Sequence, residues 1–245
     1  MKARYWYVIL TYIIMQFSGI IGIPLLLLLG IGDGLDPESG QNTIVSYWTV
    51  ISFVAALPIV LFFLRQDIRD RHENLYRSTK GEAFGWAIAG IFMAMTSQVI
   101  AANIEIHLLG IEAGSENTQQ IMALVKTLPL LIIVVSVIGP ILEEIIFRQI
   151  IFGSLYKKFN FFISALISSL IFAVVHMDFT HILIYTAMGF TFAFLYVKTK
   201  RIIVPIFAHV AMNTFVVVVQ TIFADDIERI MKEAEKIQQT FIGGF

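Results

Sequence analysis

Long apolar stretches separated by short polar connections occupy most of the chain. A helix needs about 20 apolar residues to cross the hydrocarbon core of a bilayer, which is about 30 Å thick. The chain shows no regular alternation of apolar and polar residues of the kind that barrel strands have, so helices are the expected spanning element. The pattern predicts seven crossings, at about residues 5–30, 47–64, 83–104, 121–156, 161–175, 182–197 and 202–223.

The connections between these stretches carry basic residues only in alternation. Lys and Arg occur at the N-terminus and in every second connection, whereas none occurs in the other connections, at residues 31–46, 105–120 and 177–181. Because short basic loops stay in the cytoplasm, we expect a cytoplasmic N-terminus and an outside C-terminus. The same rule favours one long crossing over residues 121–156, kinked at Gly139-Pro140, because dividing it would move later basic loops outside.

These features predict an all-α fold, a polytopic transmembrane bundle of seven to eight spanning helices. We expect a single integral-membrane domain over residues 1–245, with a motif-bearing core at about 121–223. Alternating charges beyond residue 224 predict an exposed C-terminal tail at 225–245.

The composition excludes several classes of function. Charged residues make up 14% of the chain, against about 25% in an average soluble domain, so a water-soluble domain is excluded. Lys and Arg number 17 and Asp and Glu 18, which gives no basic excess for binding nucleic acid. The chain has no cysteine, so thiolate catalysis, disulfides and Cys-ligated metals are excluded.

Ionisable and amide side chains lie within or at the end of three of the last four apolar stretches. A carboxylate at the centre of a bilayer costs about 2.5–3.5 kcal/mol, and such residues are by default candidates for function. The candidates are Glu143, Glu144, Arg148, His176, His209 and Asn213. His181 and Asp178 lie in a short connection, where solvated side chains are the expected state, so neither is assigned to the site.

Helical spacing separates the roles of the two adjacent glutamates. Glu144 and Arg148 are four residues apart, so they share a helix face and can form an ion pair. Glu143 lies about 100° around the helix from Glu144, and we expect it to face other partners. Pro140 fits the first position of a helix, which would place both carboxylates near a partly positive helix N-terminus.

These residue types suit hydrolysis of a peptide bond. A glutamate can accept a proton from water, a histidine can pass a proton to the leaving amine, and histidine and asparagine can donate hydrogen bonds to an oxyanion. Zinc held by Glu143, His176 and His209, with an open fourth position, is the alternative.

Three strings in these apolar stretches resemble the motifs of a known family. They are Glu143-Glu144-x-x-x-Arg148, Phe172-x-x-x-His176 and His209-x-x-x-Asn213. The chain is identified by them as similar to the CAAX-protease and bacteriocin-processing (CPBP, or Abi) family of intramembrane proteases, and as a whole it resembles the YdiL-type bacterial members.

The resemblance implies the roles of these residues. It makes Glu143 the activator of water, completes the site with His176, His209 and Asn213, and leaves Glu144 and Arg148 as support or substrate contacts. It implies a glutamic-type endopeptidase without a cofactor more strongly than a metalloprotease.

The resemblance also implies partners and a location. The expected partners are a membrane-anchored peptide or protein substrate and the lipid bilayer, without nucleic acid, in a bacterial plasma membrane. A non-proteolytic scaffold or bacteriocin-immunity protein of the same family is the alternative. A proton-coupled transporter is a third hypothesis, against which stand the small number of helices and the lack of an inverted repeat.

Overall fold

The computed structural model describes residues 1–70, 76–112, 114–223, 226 and 229, and their regular structure is helical throughout. Helix α6 is a continuous helical stretch over residues 131–155 that combines α-helical and π-helical segments. The other eight helices of the described residues are α-helical throughout. Their bounds are α1 Ala3–Phe17, α2 Gly19–Leu28, α3 Pro37–Asp70, α4 Lys80–Leu109, α5 Glu116–Thr127, α7 Phe161–Val175, α8 Ile182–Thr199 and α9 Ile203–Ile222. The all-α prediction is confirmed, and most of the predicted tail lies outside the described residues.

Fewer of the described helices are long and apolar enough to span a bilayer than the seven crossings that the apolar pattern predicts. Within the described residues, α3, α4, α8 and α9 are long and apolar enough to span a bilayer. Helices α1 and α2 meet at a 43° bend and together give a fifth candidate. Helix α7 is apolar but has 15 residues, about 22 Å at 1.5 Å per residue. The structure therefore supports four or five spans, and the count of seven to eight is not confirmed.

Residues 121–156 do not form the single kinked helix on which the prediction of one crossing rests. Helix α5 ends at Thr127, and Leu128 has an extended backbone with φ −134° and ψ 94°. Pro129 follows, and the residue before a proline is sterically disfavoured in the helical region. A new helix then begins at Leu131, so the apolar run is divided into a short helix and α6.

Helix α6 changes its winding around the predicted kink at Gly139-Pro140. Its α-helical turn Gly139–Glu143 lies between two π-helical segments, Val134–Ile138 and Glu144–Phe152. Proline has no N–H for the helical ladder, and wider turns accommodate such a break. Ile138 is itself helical, with φ −68° and ψ −46°. The predicted helix N-terminus at Pro140 is therefore wrong, and both glutamates lie in the helix interior.

Helix α6 is the most deeply buried element of the bundle. Its apolar side chains pack against α1 and α3 in a cluster that includes Leu142, Ile146, Phe147 and Ile150. On the other side, α8 packs on α4, α7 and α9. Small residues allow these close approaches: a Cβ placed on Gly189 would lie 2.6 Å from the Cβ of Ser169. Tight packing around α6 fixes the helices that carry the candidate residues.

Candidate active site

One cavity of about 520 Å³ opens between the motif-bearing helices. Its lining includes four of the predicted site residues, from helices α6 and α9 and from the residue that ends α7: Glu143, His176, His209 and Asn213. The other two predicted residues, Glu144 and Arg148, are buried behind this wall. The fold therefore brings all six predicted residues into one region, although they span 71 positions of sequence from Glu143 to Asn213.

Glu144 and Arg148 form the ion pair that their spacing predicts. Arg148 Nε lies 3.3 Å from Glu144 Oε2, and the two side chains are 1% and 0% exposed. The contact lacks hydrogen-bond alignment, and the guanidinium is instead enclosed by aromatic rings. Its central carbon lies 4.4 Å from the ring centre of Phe172 and 5.3 Å from that of Phe192. These contacts hold a charged pair in a site without water access.

His209 lies between the two glutamates. Its Nδ1 is 3.0 Å from Glu144 Oε1, and its Nε2 is 3.8 Å from Glu143 Oε2. Since an ionised carboxylate only accepts hydrogen bonds, Nδ1 donates to Glu144, and Nε2 is turned toward Glu143. The imidazole also stacks on Phe192, with centres 4.7 Å apart and planes 20° from parallel. Both polar and aromatic contacts therefore fix this ring.

Glu143 faces the cavity, on a different side of α6 from Arg148, as its spacing predicts. Its side chain is 17% exposed, whereas that of Glu144 is fully buried. The two adjacent carboxylates thus have different surroundings: Glu144 is matched by Arg148, and Glu143 is accessible from the cavity. Only Glu143 is placed to meet a water molecule or a substrate.

His176 and Asn213 line the same cavity, and their polar contacts are with main-chain carbonyls. His176 Nδ1 donates to the carbonyl oxygen of Phe172 at 2.8 Å. Asn213 Nδ2 donates to the carbonyl oxygen of Val135 at 3.3 Å. The first bond places the single proton of a neutral His176 ring on Nδ1 and leaves Nε2 able to accept another. The second leaves one amide hydrogen of Asn213 free.

The donor arrangement does not match the zinc alternative. Within the described ranges, no three His, Asp or Glu side chains are close enough together to hold one metal ion. The predicted set of Glu143, His176 and His209 therefore does not converge on one point. The absence of a cofactor stays a prediction.

Sequence reasoning missed a second polar cluster on the cavity wall. His181, interpreted from its loop position as solvated, is buried. Its Nδ1 is 2.8 Å from Glu105 Oε2, and its Nε2 is 2.8 Å from the carbonyl oxygen of Gly114. Glu105 Oε1 accepts hydrogen bonds from the backbone N–H groups of Leu183 and Ile184 at the start of α8. The sequence signal for this contact is an acidic residue, Glu105, directly after the apolar stretch at residues 83–104.

The contacts of His181 predict that the free energy of unfolding depends on pH. Burial lowers its pKa, but the hydrogen bonds to Glu105 and Gly114 and the nearby Asp178 outweigh burial, so the net pKa is raised. Both partners accept hydrogen bonds, so the protonated ring satisfies them together. The stabilisation is complete below the unfolded pKa of about 6.5 and is lost as the pH rises through the higher folded pKa.

We therefore expect His181→Gln to lower the Tm more at pH 6 than at pH 9, measured by thermal unfolding in detergent. His107→Gln is the control, since His107 is exposed at the end of α4, and we expect it to change the Tm little at either pH. A His181→Gln deficit that grows with pH would contradict the imidazolium assignment.

Comparisons with known proteins give the same family as the motifs. The family described as Type II CAAX prenyl endopeptidase Rce1-like matches residues 125–215, which contain all six predicted site residues. YdiL of Bacillus subtilis (strain 168), described as a candidate membrane peptidase, is 51% identical over 100% of this chain and 99% of its own length. MroQ of Staphylococcus aureus (strain USA300), described as a membrane-embedded CAAX protease, is 34% identical over 79% of this chain and 81% of its own.

A third relative is more limited in extent. The UPF0177 protein YxdF of Lactococcus lactis subsp. lactis (strain IL1403) is 35% identical over 34% of this chain and 45% of its own length. No solved structure is significantly similar to the chain. The full-length identity to one relative and the match across the motif region together show that the chain belongs to the Rce1-like CAAX protease family of membrane peptidases.

Proposed function

We propose that the chain is a glutamic-type intramembrane endopeptidase in which Glu143 activates the attacking water. The observation that carries the proposal is the position of His209 between a cavity-facing Glu143 and a buried Glu144. A structural ion pair explains the presence of Glu144 and Arg148. It does not explain why a second carboxylate, that of Glu143, lies in an apolar helix beside them.

The first step is attack of water on the scissile carbonyl. Glu143 accepts one proton from the water as its oxygen bonds to the carbonyl carbon. His209, held by Glu144 and Phe192, accepts a hydrogen bond from the water at Nε2 and so holds the water beside the Glu143 carboxylate. The free amide hydrogen of Asn213 meets the negative charge that develops on the carbonyl oxygen.

The second step is departure of the amine. His176 accepts at Nε2 the proton that Glu143 has taken and gives it to the leaving nitrogen as the carbon–nitrogen bond breaks. The products are a carboxylic acid and an amine, and Glu143 and His176 return to their starting states. This step requires His176 Nε2 to be directed into the cavity.

The expected substrate is a membrane-anchored or membrane-proximal peptide segment that enters the cavity from the bilayer or its surface. The family description names prenylated CAAX substrates, and MroQ is described as a CAAX protease. Both descriptions name the hydrolysis of a peptide bond. We therefore propose peptide hydrolysis for this chain and make no proposal about recognition of a prenyl group.

Profiling of protein N-termini in membranes tests the proposal. We expect new N-termini in cells that carry the wild-type chain and none in cells that carry Glu143→Gln at the same level. Purified wild type should then cleave the identified peptide equally with and without a metal chelator. Identical N-terminal profiles would contradict the protease and favour the scaffold or immunity alternative, and loss of activity with chelator would favour the metal alternative.

A further inference from the structure

His176 lies at a helix end, where the main chain holds its side chain by one contact, the hydrogen bond from Nδ1 to the carbonyl oxygen of Phe172. It is the residue that ends α7, and the next residue, Met177, has a left-handed backbone with φ 54°. The chain leaves the helix at this point, so no following turn packs on the imidazole. Catalytic groups have to be held within about 0.5 Å and 10–20° of the productive geometry, so other contacts must orient this ring.

Two aromatic rings supply those contacts. The centre of the His176 ring lies 4.4 Å from that of Phe172 and 4.4 Å from that of Tyr185. Phe172 and Tyr185 are 6.3 Å apart, so they meet the imidazole on different sides. Tyr185 is the closer to parallel, with planes 31° apart against 60° for Phe172, and it therefore covers the face of the imidazole.

Tyr185 is itself fixed by polar contacts from two other segments. Its hydroxyl accepts a hydrogen bond from Asn117 Nδ2 at 3.3 Å and donates to Asp178 Oδ2 at 3.5 Å. The same Asp178 oxygen accepts a hydrogen bond from Ser115 Oγ at 2.7 Å. Ser115 also caps α5 by accepting from the backbone N–H of Thr118 at 3.2 Å. The tyrosine therefore joins the start of α5 and the α7–α8 connection to the imidazole.

The start of α8 is anchored as well. Glu105 binds the N–H groups of the two residues before Tyr185, and the N–H of Tyr185 donates to the carbonyl oxygen of His181 at 3.3 Å. The ring of Tyr185 is thus held at its backbone and at its hydroxyl.

We propose that Tyr185 is a positioning residue for His176: it covers the imidazole face and keeps Nε2 directed into the cavity. The inference rests on the proposed function, which gives His176 the proton transfer to the leaving amine. Tyr185 takes no part in bond making. Its ring sets the orientation of the imidazole, and its hydroxyl sets the orientation of the ring.

Two substitutions separate the ring from the hydroxyl. Tyr185→Leu removes the aromatic face, and we expect kcat to fall about 100-fold with KM changed less than about threefold, because a misplacement of about 1 Å costs this much. Tyr185→Phe keeps the face and loses the hydroxyl, so we expect a smaller fall of kcat, about 3- to 10-fold. Rescue by phenylalanine distinguishes positioning from general packing.

Tyr196→Leu is the matched control. Tyr196 lies three turns along the same helix, where its ring packs on Phe152 with centres 6.4 Å apart. We expect this substitution to lower the Tm without changing kcat. A Tyr185→Leu variant with wild-type kcat, or with a change confined to KM or Tm, would overturn the inference.

An NMR measurement tests the positioning independently of activity. In protein labelled at histidine nitrogen and carbon, the His176 signals are identified by their loss in His176→Gln. We expect the ring-current shift of these signals to persist in Tyr185→Phe and to fall in Tyr185→Leu to the part that Phe172 contributes. Unchanged signals in Tyr185→Leu would refute the positioning role even if the wild type cleaves peptides, whereas a wild type that cleaves nothing but shows these shifts would refute only the proposed function.

Discussion

Replacement of Glu143 by glutamine is expected to lower kcat for peptide cleavage by about 10²- to 10⁴-fold, the range that a general base contributes. Glutamine has nearly the same shape but cannot accept the proton of the attacking water. Since Glu143 is the glutamate of α6 that reaches the cavity, Glu144 cannot take over its role. Cleavage of the identified peptide by purified protein measures the effect, and binding of that peptide should be retained.

Glu112→Gln provides a matched control for this substitution. Glu112 also lines the cavity, but it is exposed and belongs to the connection between α4 and α5. We expect its replacement to leave kcat within about twofold of wild type, since it lacks the contact with His209. Full activity in Glu143→Gln, or an equal loss in Glu112→Gln, would refute the assignment of the base.

The residues of the candidate site could be predicted from the sequence because the free-energy cost of a charged side chain in an apolar segment does not depend on the tertiary structure. A carboxylate in an apolar run is unfavourable wherever it points, so Glu143 and Glu144 stand out without a structure. Four-residue spacing on a helix also predicts the pairing of Glu144 with Arg148, which the structure confirms. The assignment of catalytic roles stays a prediction.

The features that the sequence did not predict depend on contacts between helices. Nothing in the positions of Phe192 or Tyr185 marks them as partners of His209 and His176, because aromatic residues are common in apolar helices. The burial of His181 depends on Glu105, which is 76 positions away. The division of residues 121–156 was missed because hydropathy outweighed the effect of Pro129 on the residue before it.

Replacement of Arg148 by methionine is expected to destabilise the protein by about 3–5 kcal/mol, the cost of removing one partner of a buried ion pair. Methionine fills most of the same volume, so the loss comes chiefly from the uncompensated Glu144 carboxylate. Aromatic rings surround the guanidinium, and they cannot neutralise that charge. Unfolding of the purified protein in detergent micelles measures the effect.

Arg65→Met is the control, because Arg65 also lies over an aromatic ring, 4.3 Å from the centre of Phe62, but is exposed. An exposed contact of this kind contributes about 0.5–1 kcal/mol, so a loss no larger than this is expected. The double variant Glu144→Gln/Arg148→Met removes both charges, and a glutamine oxygen can still accept the hydrogen bond of His209. We expect it to recover most of the stability lost in Arg148→Met. If the double variant is as unstable as the single one, packing of Arg148 against its aromatic neighbours and not neutralisation of Glu144 is the main contribution of this arginine.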